Sequence, residues 1–125
     1  MKLNHINLVV SNVADTIKLF ETYFNFKCTS IKGDNAIAIL KGVDDFTLVI
    51  MTDKNERATY PHAFHIGFML NSEEAVTKTY AHLKNGGIAV GQEPKKIRDS
   101  FGFYFNFENI MIEVGYYLTD NTADI

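Results

Sequence analysis

Leu3-Asn4-His5-Ile6-Asn7-Leu8-Val9-Val10 and Ala63-Phe64-His65-Ile66-Gly67-Phe68-Met69-Leu70 are the stretches whose reading decides the fold. Each alternates apolar and mixed positions, the period of a half-buried strand. Each also carries a His-Ile dipeptide, and the two dipeptides lie sixty residues apart in a chain of 125. The same offset relates Asn25, after a first helical pattern, to Asn85-Gly86-Gly87 after a second. Self-similarity at a fixed offset means one supersecondary unit used twice.

Working outward from the first stretch, the spacing predicts a strand over 3–10 and a helix capped by Ser11 or Asn12. That helix runs to about Phe24, with Ile17, Phe20 and Phe24 on one side. Asn25 is a left-handed helix-end residue. Strands follow near 26–31, 36–41 and 46–51, separated by the turn signals Gly33-Asp34-Asn35 and Lys41-Gly42-Val43-Asp44-Asp45. A polar linker spans 52–62. The second unit predicts a strand over 63–70 and a helix from Ser72 to Asn85. A short strand near 88–91, a loop through Pro94 and Arg98, and strands near 101–107 and 110–116 complete it. The expected organisation is a single domain over 1–125, with module 1 at 3–51, module 2 at 63–117 and a frayed tail at 118–125. The fold class is α+β, two βαβββ modules with curved mixed sheets and the helices on the outer face.

Composition sets the outer limits. The chain is 46% hydrophobic and 22% charged, as in an ordinary globular domain. A net charge of −3 argues against a nucleic-acid partner, which requires a basic stripe. Lys95, Lys96 and Arg98 form a local cationic cluster, read as a solvated loop. Cys28 is the sole cysteine, so no intrachain disulfide exists, which fits a reducing compartment. Neither a signal pattern nor an apolar run long enough for a membrane span is present. The expected location is cytoplasmic, with no membrane partner.

The alternation also says where chemistry can sit. Ile6, Leu8, Val10; Phe46, Leu48, Ile50; Ile66, Phe68, Leu70; and Ile110, Ile112, Val114 form uniformly apolar faces that cover the helices. Phe103, Phe105 and Phe107 join them. The opposite parity is mixed and holds His5, Asn7, Thr47, Val49, His65, Gly67, Tyr104 and Glu113. It predicts a ligand cleft. His5, His65 and Glu113 are either isolated half-buried polar residues or a set. A buried carboxylate needs a cation or donor. Two imidazoles and a carboxylate suit Zn²⁺, Mn²⁺, Fe²⁺ or Ni²⁺ and leave positions open for water or substrate. His62, His82, Tyr116 and Tyr117 are weaker candidates, read as surface or packing residues. No phosphate loop, paired-cysteine metal motif or Gly-x-Ser-x-Gly elbow occurs.

The paired βαβββ units and the pattern His5-Ile6-x-Leu8, His65-Ile66, Ile112-Glu113-Val114 resemble the vicinal oxygen chelate superfamily. That superfamily includes glyoxalases, extradiol dioxygenases, fosfomycin-resistance enzymes and bleomycin-resistance binding proteins. The resemblance implies that His5, His65 and Glu113 are metal ligands, with Glu113 also the catalytic carboxylate. The metal would act as a Lewis acid on a small substrate with vicinal oxygens. Thr47, Arg98 and Tyr104 are the candidates for substrate contact. The fourth ligand of glyoxalase-like members has Val49 in its place here, which departs from lactoylglutathione chemistry. The basic residues that fosfomycin-resistance transferases carry after the last ligand are also missing. Small members form homodimers whose sites join His5 of one chain to His65 and Glu113 of the other. The alternative is a metal-free binding protein that sequesters a small molecule in a dimer cleft.

Overall fold

The computed structural model describes residues 1–53 and 59–118. The chain divides into two compact units, Met1–Tyr60 and Pro61–Ile125. Residues 54–58 of the expected linker and nearly all of the expected tail (119–125) lie outside the described residues.

The first unit holds strand β1 (His5–Val9), helix α1 (Val13–Tyr23), and strands β2 (Lys27–Lys32), β3 (Ile37–Lys41) and β4 (Thr47–Met51). Asn12 caps α1: its side chain accepts from the Asp15 N–H at 2.9 Å. This satisfies one of the donors that a helix start leaves open. Val13, Thr16, Ile17 and Phe20 make the buried stripe. Asn25 takes φ 58°, as its position after the helix requires. That turn brings Phe26 back onto Phe20, ring centroids 5.5 Å apart. The strand order is β1-β4-β3-β2, with β1 and β4 parallel and the other pairs antiparallel. Leu8, Ala38, Leu40, Leu48 and Ile50 point to one face and are buried, and α1 packs against β2, β3 and β4. The other face carries three rows: His5, Thr47, Lys41, Lys27; then Asn7, Val49, Ile39, Ser30; then Val9, Met51, Ile37, Lys32.

The second unit repeats the plan with β5 (Ile66–Met69), α2 (Glu73–Asn85), β6 (Lys95–Ile97), β7 (Ser100–Phe107) and β8 (Ile110–Tyr117). Ser72 caps α2 at the position sixty residues beyond Asn12, its Oγ accepting from Ala75 N–H at 3.0 Å. Glu73 and Glu74 occupy the first turn, and His82 and Lys84 the last. Both placements complement the helix dipole. Gly86 donates to the His82 carbonyl at 3.0 Å, and Gly87 at φ 85° ends the helix. The strand order β5-β8-β7-β6 matches the first sheet, again with the first pair parallel. Phe103, Phe105, Ile110, Ile112 and Val114 are buried, α2 packs on β7 and β8, and Tyr80 meets Phe103 edge-on at 5.3 Å.

The fold is therefore α+β with two βαβββ modules, as expected. One strand is misplaced in the sequence reading. Residues 88–91 form no strand. Ile88 donates to the Leu83 carbonyl at 3.0 Å, finishing the helix, and Val90 fills core space at 8% exposure. The third outer strand is Lys95–Ile97. A two-residue turn with Arg98 at φ 55° folds it onto β7, pairing Ile97 with Ser100. A strand requires a ladder partner, and that turn supplies one where the apolar run 88–90 has none. Lys95 and Lys96 are thus on a strand rather than in a solvated loop, and both are exposed.

Strand β1 is the edge of its sheet, so one side of its backbone lacks a strand partner. The Tyr60 hydroxyl accepts from the Val9 N–H at 2.8 Å and donates to the Val9 carbonyl at 2.9 Å. One phenol occupies both edge groups of a residue, which blunts an exposed strand edge. Tyr60→Phe removes this pairing. It is expected to lower stability by about 1–2 kcal/mol in urea unfolding and to speed Val9 amide hydrogen exchange selectively. Unchanged Val9 protection would show that the phenol does not hold the edge.

Candidate functional site

The open face of the second unit gathers a small polar cluster. Strand β8 lies between β5 and β7, and the register sets Glu113 opposite Gly67 on one side and opposite Tyr104 on the other. Gly67 matters because a Cβ there would come within 3.3 Å of the Glu113 carboxylate. Its missing side chain leaves the carboxylate room beside β5. His65 stands just before β5 and turns its Nε2 toward Glu113 Oε1 at 3.3 Å. The Glu113 side chain is only 19% exposed and that of His65 37%. The edge of the imidazole meets the Tyr104 ring, with centroids 5.4 Å apart and planes at 76°.

The contact with Ala63 sets which ring nitrogen of His65 carries a proton. His65 Nδ1 lies 3.0 Å from the Ala63 carbonyl oxygen. A carbonyl only accepts, so Nδ1 carries a proton. Nε2 then either carries a second proton, making an ion pair with Glu113, or presents a lone pair beside a carboxylate. Two electron-pair donors cannot face one another without a proton or a cation between them. Two ligands held by one tetrahedral Zn²⁺ at ~2.0–2.2 Å are separated by roughly 3.3–3.5 Å. The observed separation fits that spacing. The Nδ1–H to carbonyl bond is also the usual outer support of a metal-ligating histidine.

Tyr104 supports Glu113 from the other side. Burial pushes its phenol above the ordinary value near 10. The negative charge of Glu113 and the hydrogen bond that the hydroxyl gives to that carboxylate push it the same way, while the Arg98 guanidinium offsets part. The phenol is therefore a protonated donor throughout the neutral range. Tyr104 was expected to touch substrate, and the pairing with Glu113 was not foreseen. Alternation places both on one face, but only the β7–β8 register makes them opposite neighbours. Arg98 sits exposed at the β6–β7 turn.

The first unit keeps only part of this arrangement. His5 Nδ1 pairs with Asn4 Oδ1 at 2.7 Å, which again leaves Nε2 free of an intramolecular role in that bond. Gly67 pairs with Glu113, and the repeat-equivalent Asn7 pairs with Val49. Val49 is thus the counterpart of Glu113, as inferred from sequence. By the same register Ile39 is the counterpart of Tyr104. The carboxylate and the phenol of unit 2 become two aliphatic side chains in unit 1. Thr47, opposite His5, accepts a hydrogen bond from Lys41 Nζ at 2.6 Å. Among the described residues no three His, Cys, Asp or Glu side chains converge as a metal-holding group.

The remaining candidates are unremarkable in position. His62 lies in the turn before β5, so no strand parity applies to it, and His82 is exposed on α2. Tyr116 and Tyr117 are half-buried in β8. Cys28 is half-buried in β2, its Sγ 3.6 Å from the Ser30 carbonyl. No helix among the described residues is long and apolar enough to cross a membrane.

Comparison with known proteins agrees with this architecture. A structure described as a possible glyoxalase from Bacillus cereus shares 36% identity, covering 91% of this chain and 97% of its own, with a TM-score of 0.80. The genomically encoded fosfomycin resistance protein FosX from Listeria monocytogenes superposes with a TM-score of 0.71 at 21% identity, covering 93% of each chain. A glyoxylase/bleomycin resistance protein/dioxygenase domain from Frankia gives 0.77 at 15% identity, covering 97% of this chain and 94% of its own. The last two show the fold alone. No curated protein matches the sequence. The family profile of the Glyoxalase/Bleomycin resistance protein/Dioxygenase superfamily matches residues 2–114, and with the paired βαβββ units in place the chain belongs to that superfamily.

Proposed function

We propose that this protein binds a divalent cation through His65 and Glu113, with His5 as a third ligand, and acts on a small substrate that chelates the cation through oxygen. The observation that carries the reading is the 3.3 Å approach of His65 Nε2 to Glu113 Oε1 while Nδ1 is bonded to the Ala63 carbonyl. A bound Zn²⁺, Mn²⁺, Fe²⁺ or Ni²⁺ supplies Lewis acidity to the substrate oxygens. The protein's own groups do the rest. Ala63 fixes the imidazole tautomer. Tyr104 donates to Glu113 from the neighbouring strand. Arg98 and Thr47 are taken as substrate contacts. His65 and His5 must be deprotonated to ligate, so affinity falls as pH is lowered. Position 49 carries no oxygen and supplies no fourth protein ligand.

The reading extends to assembly. It takes the working form to be a two-fold homodimer in which His5 of one chain joins His65 and Glu113 of its partner. The first test is the metal itself. His65→Ala should abolish stoichiometric divalent metal binding in calorimetry. Tyr104→Phe, which removes an outer support, should weaken it roughly 10–100-fold. If His65→Ala binds metal as well as the parent, the ligand assignment is wrong; a parent that binds no divalent metal at all is instead the metal-free binder of small molecules.

Val49→Glu restores in the first unit the carboxylate position that Glu113 holds in the second. Metal affinity should rise or metal preference shift, because an anionic oxygen replaces water. A fully folded variant with unchanged metal binding would place Val49 away from the site. Mixing tests the assembly. His5→Ala and Glu113→Ala chains should each fail to bind metal, and their heterodimer should regain one complete site of two. A protein that sediments as a monomer with full metal occupancy excludes the shared site.

A further inference from the structure

The open face of the first unit ends in a row that crosses all four strands: His5, Thr47, Lys41 and Lys27, each opposite the next. Directly paired residues share a face of the sheet, so two lysines and a threonine lie on the same face as the His5 imidazole. The second unit has no such row, since its counterparts of Thr47 and Lys41 are Met111 and Asn106. The chain is acidic overall, with a net charge of −3, which makes a local run of donors a feature rather than background.

The donors in this row are only partly spent. Lys41 Nζ gives one hydrogen bond, to Thr47 Oγ1 at 2.6 Å. Having accepted from an ammonium, that hydroxyl directs its own proton elsewhere. Among the described residues neither Lys41 nor Lys27 forms an ion pair with a carboxylate. Asp44 and Asp45, exposed in the 3-10 turn Val43–Asp45 that follows, do not neutralise Lys41 through an ion pair either. The row thus offers ammonium N–H groups and a hydroxyl, with no carboxylate of its own paired to them among the described residues. An oxyanion is the chemical group that matches such a set, because charge-assisted hydrogen bonds to it are short and strong.

We propose that Thr47 and Lys41, with Lys27 adding charge, bind the anionic group of the substrate, which is therefore a small carboxylate or phosphate-type molecule. The assignment of this oxyanion to a substrate rests on the metal-binding reading above. The oxyanion site itself does not, since its donors include no metal ligand.

The test uses the full chain freed of metal by dialysis against a chelator and then freed of the chelator. Inorganic phosphate and acetate are titrated separately while amide resonances are followed by NMR. Saturable shifts at Lys41 and Thr47 are expected with at least one anion, and the anion that saturates identifies the group. Lys41→Ala should weaken that binding roughly fivefold or more, whereas Lys96→Ala, which removes an equal charge from β6, should leave it as in the parent. Absence of saturable shifts with both anions overturns the proposal. So does equal weakening by Lys41→Ala and Lys96→Ala, which would reduce the row to general charge. Because no metal is present, failure here leaves the His65–Glu113 assignment standing. Loss of metal binding in the parent would likewise leave this titration intact.

Discussion

The cross-strand register of β8 is the constraint on which the second unit depends. It sets Glu113 between a residue with no side chain, Gly67, and one with a phenol, Tyr104. A shift by one residue would turn Glu113 into the apolar layer under α2 and bring Ile112 or Val114 out. The buried row Ile110, Ile112 and Val114 prevents that slip. Hydrophobic burial on one face therefore fixes a polar geometry on the other. The same coupling explains why a half-buried carboxylate is tolerated there: Tyr104 donates to it and His65 faces it at 3.3 Å.

The two units share a backbone plan and differ in chemistry. Helix caps fall at equivalent positions, Asn12 and Ser72, and the strand orders match. The open faces have diverged. Unit 2 keeps imidazole, carboxylate and phenol together. Unit 1 keeps an imidazole, replaces the other two with Val49 and Ile39, and carries lysines at the end of the sheet instead. Open-face substitutions leave the buried layer intact, so a duplicated unit can change its surface chemistry without changing its fold.

Membership of the superfamily accounts for the fold and not for a reaction, since one fold hosts many activities. What distinguishes this chain is particular to it. Val49 takes in unit 1 the place that Glu113 holds in unit 2, and Gly115-Tyr116-Tyr117 follows Glu113 with no basic residue. Both features separate it from the lactoylglutathione and fosfomycin-transferase patterns it partly resembles. The phenol–carboxylate–imidazole cluster of unit 2 and the lysine row of unit 1 are the positive features of its open faces.

The duplicated His-Ile strands, the sixty-residue offset and the strict alternation were enough to read the βαβββ plan, the buried faces and the open-face placement of His65, Glu113 and Val49. Those signals are local: a strand's parity and a helix's caps are set by neighbours in the chain. The strand expected at 88–91 failed because an apolar run says nothing about whether a ladder partner exists, and the Arg98–Asp99 turn had already given β7 a different one. The contacts of Tyr104 with Glu113, of Ala63 with His65 and of Lys41 with Thr47 lay beyond the sequence for the same reason. Sequence determined which residues lie on the open face. Only the tertiary structure decided which of them stand opposite one another, because register is a property of paired strands and not of either strand alone.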